Sequence, residues 1–300
     1  MPPRHIALAV ILSVVWGLNF VVIVEGLTDF PPLFLAALRF AVAALPVFFV
    51  PRPALRWGVL ISLSLTLFVG QFALSFPAMA VGMPPGLASI VLQVQAFITI
   101  GIAALVLREF PTRRQLVAAG VTLVGLAVVA TTVGVNGVTT AGLVLILGSA
   151  FFWSIGNVML RRIGKVGLLA LMSWLSLIAA PPLFALSLAF EGPARIGHAV
   201  ADANWLTIGA VLYISIVSTI FGYGAWGFLL RVYTAATVAP FSLLVPVTGT
   251  LSAALLLGER FGPVRLAGMA IIMAGLAVLV LRRRPAPPNT VPDAGFGAPD

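Results

Sequence analysis

The sequence predicts an all-α polytopic membrane protein: ten transmembrane helices arranged as two inverted five-helix repeats. Three observations carry that prediction. The chain is 61% hydrophobic and only 8% charged, with a mean hydropathy of +1.16, whereas soluble domains are about a quarter charged. Its second half echoes its first. Ala103-Ala104-Leu105-Val106-Leu107-Arg108-Glu109 aligns with Ala253-Ala254-Leu255-Leu256-Leu257-Gly258-Glu259, and Gly125-Leu126-Ala127-Val128 with Gly275-Leu276-Ala277-Val278, both at an offset of 150 residues. Finally, half of a 300-residue chain holds about five helices of roughly 20 residues, the length a bilayer core demands. Five is odd, so the second copy must enter the membrane from the opposite side.

Apolar runs bounded by Pro, Gly or charge give spans at 6–24, 33–50, 58–80, 86–107, 116–132, 141–160, 168–190, 206–230, 237–258 and 264–281. The runs are continuously apolar rather than alternating, which excludes barrel strands. The first follows Met1-Pro2-Pro3-Arg4-His5 without a small-residue cleavage pattern, so it reads as a retained helix. The second and seventh carry prolines in similar settings, Ala43-Ala44-Leu45-Pro46 and Ile178-Ala179-Ala180-Pro181. Proline removes a backbone donor and bends a helix, so Pro46, Pro181 and Pro246 are candidate hinges, with a static kink as the alternative. Ala96 stands where the second repeat has Pro246, which predicts a straighter fourth helix. In the fifth and tenth spans Gly120, Gly125, Gly268 and Gly275 allow close helix contact. The halves run 1–137 and 138–284, and the Pro-, Ala- and Gly-rich stretch 285–300 reads as a disordered tail.

Orientation follows from the 17 Lys and Arg residues. With the N-terminus inside, thirteen fall in inner loops, three (Arg195, Arg260, Arg265) in outer ones, and Arg39 within a span. That asymmetry places both termini in the cytoplasm. It also makes the net charge of +9 a report of topology rather than of nucleic-acid binding.

There is no cysteine and only His5 and His198, so no disulfide, thiolate or histidine metal cluster is expected. No embedded acid–base pair, HExxH or GxSxG arrangement supports an enzyme, and no cofactor is implied. Inverted repeats are the plan of many secondary transporters, with the substrate site near the midplane where the copies meet. A membrane scaffold or receptor would leave the duplication unexplained.

Several segments together carry a family resemblance: Val15-Trp16-Gly17-Leu18-Asn19-Phe20-Val21-Val22, Leu38-Arg39-Phe40, Gly82-Met83-Pro84-Pro85-Gly86-Leu87-Ala88-Ser89 and Gly258-Glu259-Arg260. In that order they resemble the EamA branch of the drug/metabolite transporter superfamily. Ala239-Pro240-Phe241-Ser242-Leu243-Leu244-Val245-Pro246-Val247 looks like the bacterial O-acetylserine/cysteine exporter group within it. The resemblance implies a multi-pass bacterial inner-membrane exporter of amino acids and related neutral metabolites, partnered by lipid and substrate. It leaves the solute and the oligomeric state open.

Polar residues inside spans are few. Trp16 and Asn19 share a face of the first helix, and Trp153 and Asn157 a face of the sixth. Such pairs suit a cavity that holds a zwitterion, or else glue between helices. Gln71 and Ser75 share a face of the third helix; Gln95 and Thr99 share one of the fourth, with Gln93 on another side. Trp174, Tyr213 and Tyr223 are weaker candidates, since aromatics also favour interfaces and packing. Arg39 is the one ionisable residue clearly within a span. A charge at a helix centre costs about 2.5–3.5 kcal/mol on insertion scales, so it either attracts a carboxylate near the outer mouth, or snorkels outward or pairs with Glu25 or Asp29. The first span has no carboxylate, in contrast to small multidrug proton antiporters. The expectation is therefore gradient-driven export by alternating access, with proton-coupled multidrug or metabolite export as the alternative.

Overall fold

The computed structural model describes residues 1–134, 137–163, 166–233 and 235–281, with residues 235 and 236 described by backbone only. The proposed tail, and the three arginines before it, lie outside the described residues. Among the described residues there are helices and no strands, and nine helices are long and apolar enough to cross a membrane. They are α1 (Pro3–Gly26), α3 (Trp57–Ala80), α4 (Pro85–Leu107), α5 (Arg113–Ala130), α6 (Thr140–Leu160), α7 (Leu168–Phe190), α8 (Trp205–Val232), α9 (Ala239–Leu256) and α10 (Pro263–Val280).

The second expected span is shorter than predicted. Its α2 (Pro32–Phe48) is α-helical only over Pro32–Ala43 and ends in a 3-10 turn, Leu45–Phe48, that contains Pro46. Proline cannot donate to the preceding turn, so the wider α-helical winding stops there. A short helix, Pro193–Asp202, fills the loop after α7 that the hydrophobic pattern left unassigned; it buries Ile196 and Ala199. Pro181 and Pro182 both sit inside α7 without ending it.

The helices are wound irregularly at matching places in the two halves. Both third helices contain a π-wound stretch, Leu65–Gly70 in α3 and Tyr213–Phe221 in α8. Both fourth helices are interrupted or led by a 3-10 turn, Leu92–Val94 in α4 and Ala239–Leu243 at the start of α9. α4 is interrupted by its 3-10 turn although Ala96 is no proline. Each fourth helix also stops on a left-handed residue, Arg108 at φ 56° and Gly258 at φ 65°. The following glutamates return equivalent hydrogen bonds, Glu109 N to Ala103 O and Glu259 N to Ala253 O. Glycine takes that conformation freely and arginine does not, so the geometry is held by the helix end rather than by the residue.

Packing repeats the correspondence. α1 packs on α9 and α8, while α6 packs on α4 and α3. α2 packs on α7, α4 on α9 and α5 on α10. Exchanging the first five helices for the last five maps each contact onto another in this set. The α5–α10 seam shows it at atomic level. A Cβ on Gly125 would meet Ile272 N at 2.7 Å and Gly268 O at 2.8 Å. One on Gly275 would meet Ala118 O at 2.8 Å and Thr122 N at 3.1 Å. Positions 268 and 272 are 118 and 122 displaced by 150. Gly120, expected in the same seam, faces open space instead.

A side chain at Gly275 must therefore push two backbones apart. Gly275→Val is expected to cost about 1–3 kcal/mol through overpacking, lowering the thermal midpoint in detergent. Gly120→Ala, with nothing in the way, should leave the midpoint unchanged.

Candidate functional site

A cavity of about 460 Å³ lies between the two sets of helices, with walls that are mostly apolar. Its lining includes Trp16, Asn19, Arg39, Gln71, Ser75, Gln95, Trp153, Asn157 and Tyr223. Nine of the sequence-predicted residues therefore converge on one space. Arg39 is the only charged residue in that lining, and no Asp or Glu is among the described residues that form it.

The irregular helices build this site. A π turn advances the chain by one extra residue, shifting side chains and freeing carbonyls, and such turns recur at functional sites. In α8 side chains of two other helices dock on the π stretch. Trp16 Nε1 donates to Ser218 O at 3.0 Å, and Arg39 Nε donates to Thr219 Oγ1 at 3.2 Å. Thr219 in turn donates to Ile214 O, five residues back, at 2.8 Å. α1 and α2 thus dock on adjacent residues of one π-wound segment. Tyr223 and Trp226, on the following turns, place their rings 5.8 and 5.5 Å from Trp16. In the other half, Gln71 and Ser75 follow the π stretch of α3 and are buried.

The 3-10 turn in α4 explains a residue that periodicity missed. Gln93 and Gln95 both line the cavity, although an α-helix would put them about 160° apart. Winding at three residues per turn narrows that to about 120°, and Gln95 begins the next α-helical segment. Gln95 is also the node that ties α4 to α6. Asn157 Nδ2 donates to its Oε1 at 2.8 Å, and Ser154 Oγ to its carbonyl at 2.9 Å. Ser89, Ser218, Trp226 and Ser242 complete the polar and aromatic lining. Small hydroxyls and packing aromatics occur throughout the chain, so no pattern singled these out.

Two predicted residues are elsewhere. The Tyr213 hydroxyl donates to Val15 O at 3.0 Å, locking the start of the π stretch to α1. Trp174 points its Nε1 toward Val50 O at 3.5 Å and packs edge-on against Trp57. Neither lines the cavity. The expected partners of Arg39 are also absent from its side. Asp29 instead accepts from Asn204 Nδ2 and Thr207 Oγ1, both at 2.8 Å. Arg39 is 4% exposed, its guanidinium lies 4.5 Å from the Phe72 ring centre, and its Nη1 is buried without a hydrogen-bond partner.

The cavity is closed at one end and reaches helix termini at the other. Toward the end of α1 and α3, its lining residues Ile23 and Met79 are buried. At the opposite end it reaches Leu160, Leu168, Leu230 and Val280, at or near helix termini and at least partly exposed. Beyond the closed end, Glu259 Oε2 accepts from Gly86 N at 2.9 Å, placing a carboxylate at the positive start of α4. Burial pushes the Glu259 carboxyl above the ordinary carboxylate range, opposed by the Gly86 amide and by Arg265. α1, α4 and α9 cross tightly below it, where a Cβ on Gly249 would meet Ser89 Oγ at 2.8 Å. At the other end Glu109 makes an exposed pair with Arg161 at 2.8 Å.

Gln95→Met would remove the acceptor of the part-buried Asn157 Nδ2. A loss of about 0.5–1.5 kcal/mol, the net worth of one hydrogen bond, is expected. Adding Asn157→Leu should restore part of it, so a double-mutant cycle on thermal stability checks the coupling.

The EamA-like transporter family matches this chain over residues 4–131 and 140–281. The chain is 44% identical over 280 residues to a probable amino-acid metabolite efflux pump of Salmonella typhimurium strain LT2, covering 91% of this chain and 93% of that one. It is 42% identical over 284 residues to a protein of the same description from Escherichia coli strain K12, covering 92% and 95%. A probable terminal-alkyne amino-acid exporter of Streptantibioticus cattleyicolor is 25% identical over 287 residues, covering 92% and 93%. A solved crystal structure superposes with a TM-score of 0.64 over 93% of this chain and 97% of its own, at 17% identity, a likeness of fold.

Proposed function

Because the chain belongs to the EamA-like transporter family, and is thus a multi-pass membrane transporter rather than an enzyme, we propose that it exports amino acids and related small neutral metabolites across the bacterial inner membrane. The observation that carries this reading is the shared cavity. Trp16 and Asn19 from the first half, and Trp153 and Asn157 from the second, line the same space with Gln71, Ser75, Gln95 and Tyr223. Amides and hydroxyls offer both donors and acceptors to a zwitterion, and the aromatic walls accept an apolar side chain. The efflux-pump relatives, 42–44% identical over nearly their whole length, support the same substrate class.

The mechanism is alternating access between two inverted five-helix repeats, 1–137 and 138–284. Matched π and 3-10 windings, and the reciprocal glycine contacts of α5 and α10, support that topology. With both termini in the cytoplasm, as the arginine distribution favours, the accessible end of the cavity faces the cytoplasm, where an exporter loads. The α2 segment that ends at Pro46, the proline pair at Pro181 and the 3-10 turn before Pro246 are the bending points. No Asp or Glu is among the described residues that line the cavity, which favours export driven by the solute's own gradient over exchange for a proton.

Reconstituted vesicles test this. Labelled neutral amino acids should equilibrate by a saturable route that unlabelled ones inhibit, with no accumulation when only a pH gradient is imposed. Uphill accumulation under that gradient, or a preference for cationic dyes over amino acids, would favour a proton-coupled multidrug exporter instead.

A further inference from the structure

Arg39 brings a positive charge into a space that holds no counter-charge. The guanidinium is buried, seven residues into α2, against the Phe72 face and Thr219 Oγ1. Those two contacts employ one N–H and a ring face, while Nη1 has no hydrogen-bond partner. A guanidinium presents five donors in a fork shaped for a carboxylate. Glu25, in the last turn of α1, and Asp29, in the loop that follows, make no ion pair with it within 4.0 Å, and Asp29 is held by Asn204 and Thr207.

A second idle group lines the same cavity. Asn19 is 8% exposed, and its Oδ1 is buried without a partner. Its helix-face neighbour Trp16 docks on Ser218, the residue adjacent to the Thr219 that holds Arg39. An unused cationic donor and an unused acceptor are thus brought to one wall by one π-wound segment. Buried polar groups are normally satisfied, so this pair marks what the empty cavity lacks: an anion that accepts and a cation that donates.

Resting on the exporter reading, we infer that Arg39 is the carboxylate receptor of the cavity and Asn19 Oδ1 its ammonium acceptor. The substrate then needs both a free carboxylate and a free ammonium group, with its side chain directed among Trp16, Tyr223 and Trp226. Neutral amino acids satisfy this; esters, amines and N-acylated acids do not.

The test uses the full-length protein in detergent and in vesicles, with labelled L-leucine as tracer. Competitors are L-leucine, L-leucine methyl ester (no carboxylate) and N-acetyl-L-leucine (no ammonium). The ester and the acetylated acid are each expected to compete on the order of tenfold or more weakly than leucine, the scale of losing a charge-assisted contact. Arg39→Gln should lower leucine affinity by a similar factor and bring leucine and its ester to equal potency, while Arg39→Lys retains part of the preference. Equal potency of leucine and its ester on the unmodified protein overturns the Arg39 assignment, even where Arg39→Gln fails to fold. Equal potency of leucine and N-acetyl-leucine overturns the Asn19 assignment. If leucine and the other neutral amino acids all fail to enter or compete, the exporter reading itself falls, a result distinct from both.

Discussion

Hydrocarbon supplies no hydrogen-bond partners, and that one constraint governs this molecule. Every backbone polar group inside the bilayer must be satisfied within the protein, which leaves helices as the spanning element here. It also decides what hydroxyls do. Ser13, Ser154, Ser173, Ser176 and Ser215 each donate to a carbonyl four residues back. Several then hold a second helix as well: Ser13 reaches Phe241 O and Ser154 reaches Gln95 O. Where helical winding changes, side chains of other helices dock as well. The π stretch of α8 is the fullest case, since Trp16 and Arg39 both find their partners there. Regularly wound helices lend carbonyls as well, since the Tyr213 hydroxyl donates to Val15 O in α1.

The matched irregularities of the two halves make their remaining difference meaningful. Both fourth helices end in the same left-handed cap followed by glutamate. Yet Glu259 accepts from the start of α4, behind the closed end of the cavity, while Glu109 stands exposed on Arg161 at the other end. Related sequences thus make different contacts on the two sides. A two-state carrier whose halves exchange conformations needs such inequality in each state. The seam of α5 and α10, by contrast, is reciprocal at the residue level, which suits a fixed support about which the other helices move.

Most of the architecture was legible in the chain because hydrophobic length is a strong signal and the duplication is nearly undisguised. Nine of the chosen site residues line one cavity for a simple reason: a polar side chain in an apolar span has few places to go. The errors share a cause as well. α-Helical periodicity sets Gln93 and Gln95 on different sides, whereas 3-10 winding through Leu92–Val94 lets both line the cavity. Tyr213 and Trp174 were included by residue type, but each spends its donor on a backbone carbonyl of another segment. Gly120 was grouped with its seam partners by spacing that puts it on the wrong side of the helix. Pairing Arg39 with Asp29 leaves out Asn204 and Thr207, which reach that carboxylate from the N-cap and first turn of α8, more than 170 residues away in sequence.

The charge of Arg39 also bears on what moves the protein. A ligand shifts a conformational equilibrium only by binding one state better than the other. No Asp or Glu is among the described residues that line the cavity, so a guanidinium held against Phe72 is disfavoured in any state that excludes water from it. On the proposed role of Arg39, a bound carboxylate would supply the counter-charge and remove that penalty in a closed, water-free intermediate between two open states. The substrate would then lower the barrier to its own passage, and the loaded carrier would reorient more readily than the empty one. Under that scheme selectivity and turnover arise from one contact, since a solute that cannot neutralise Arg39 neither holds in the cavity nor lets it close.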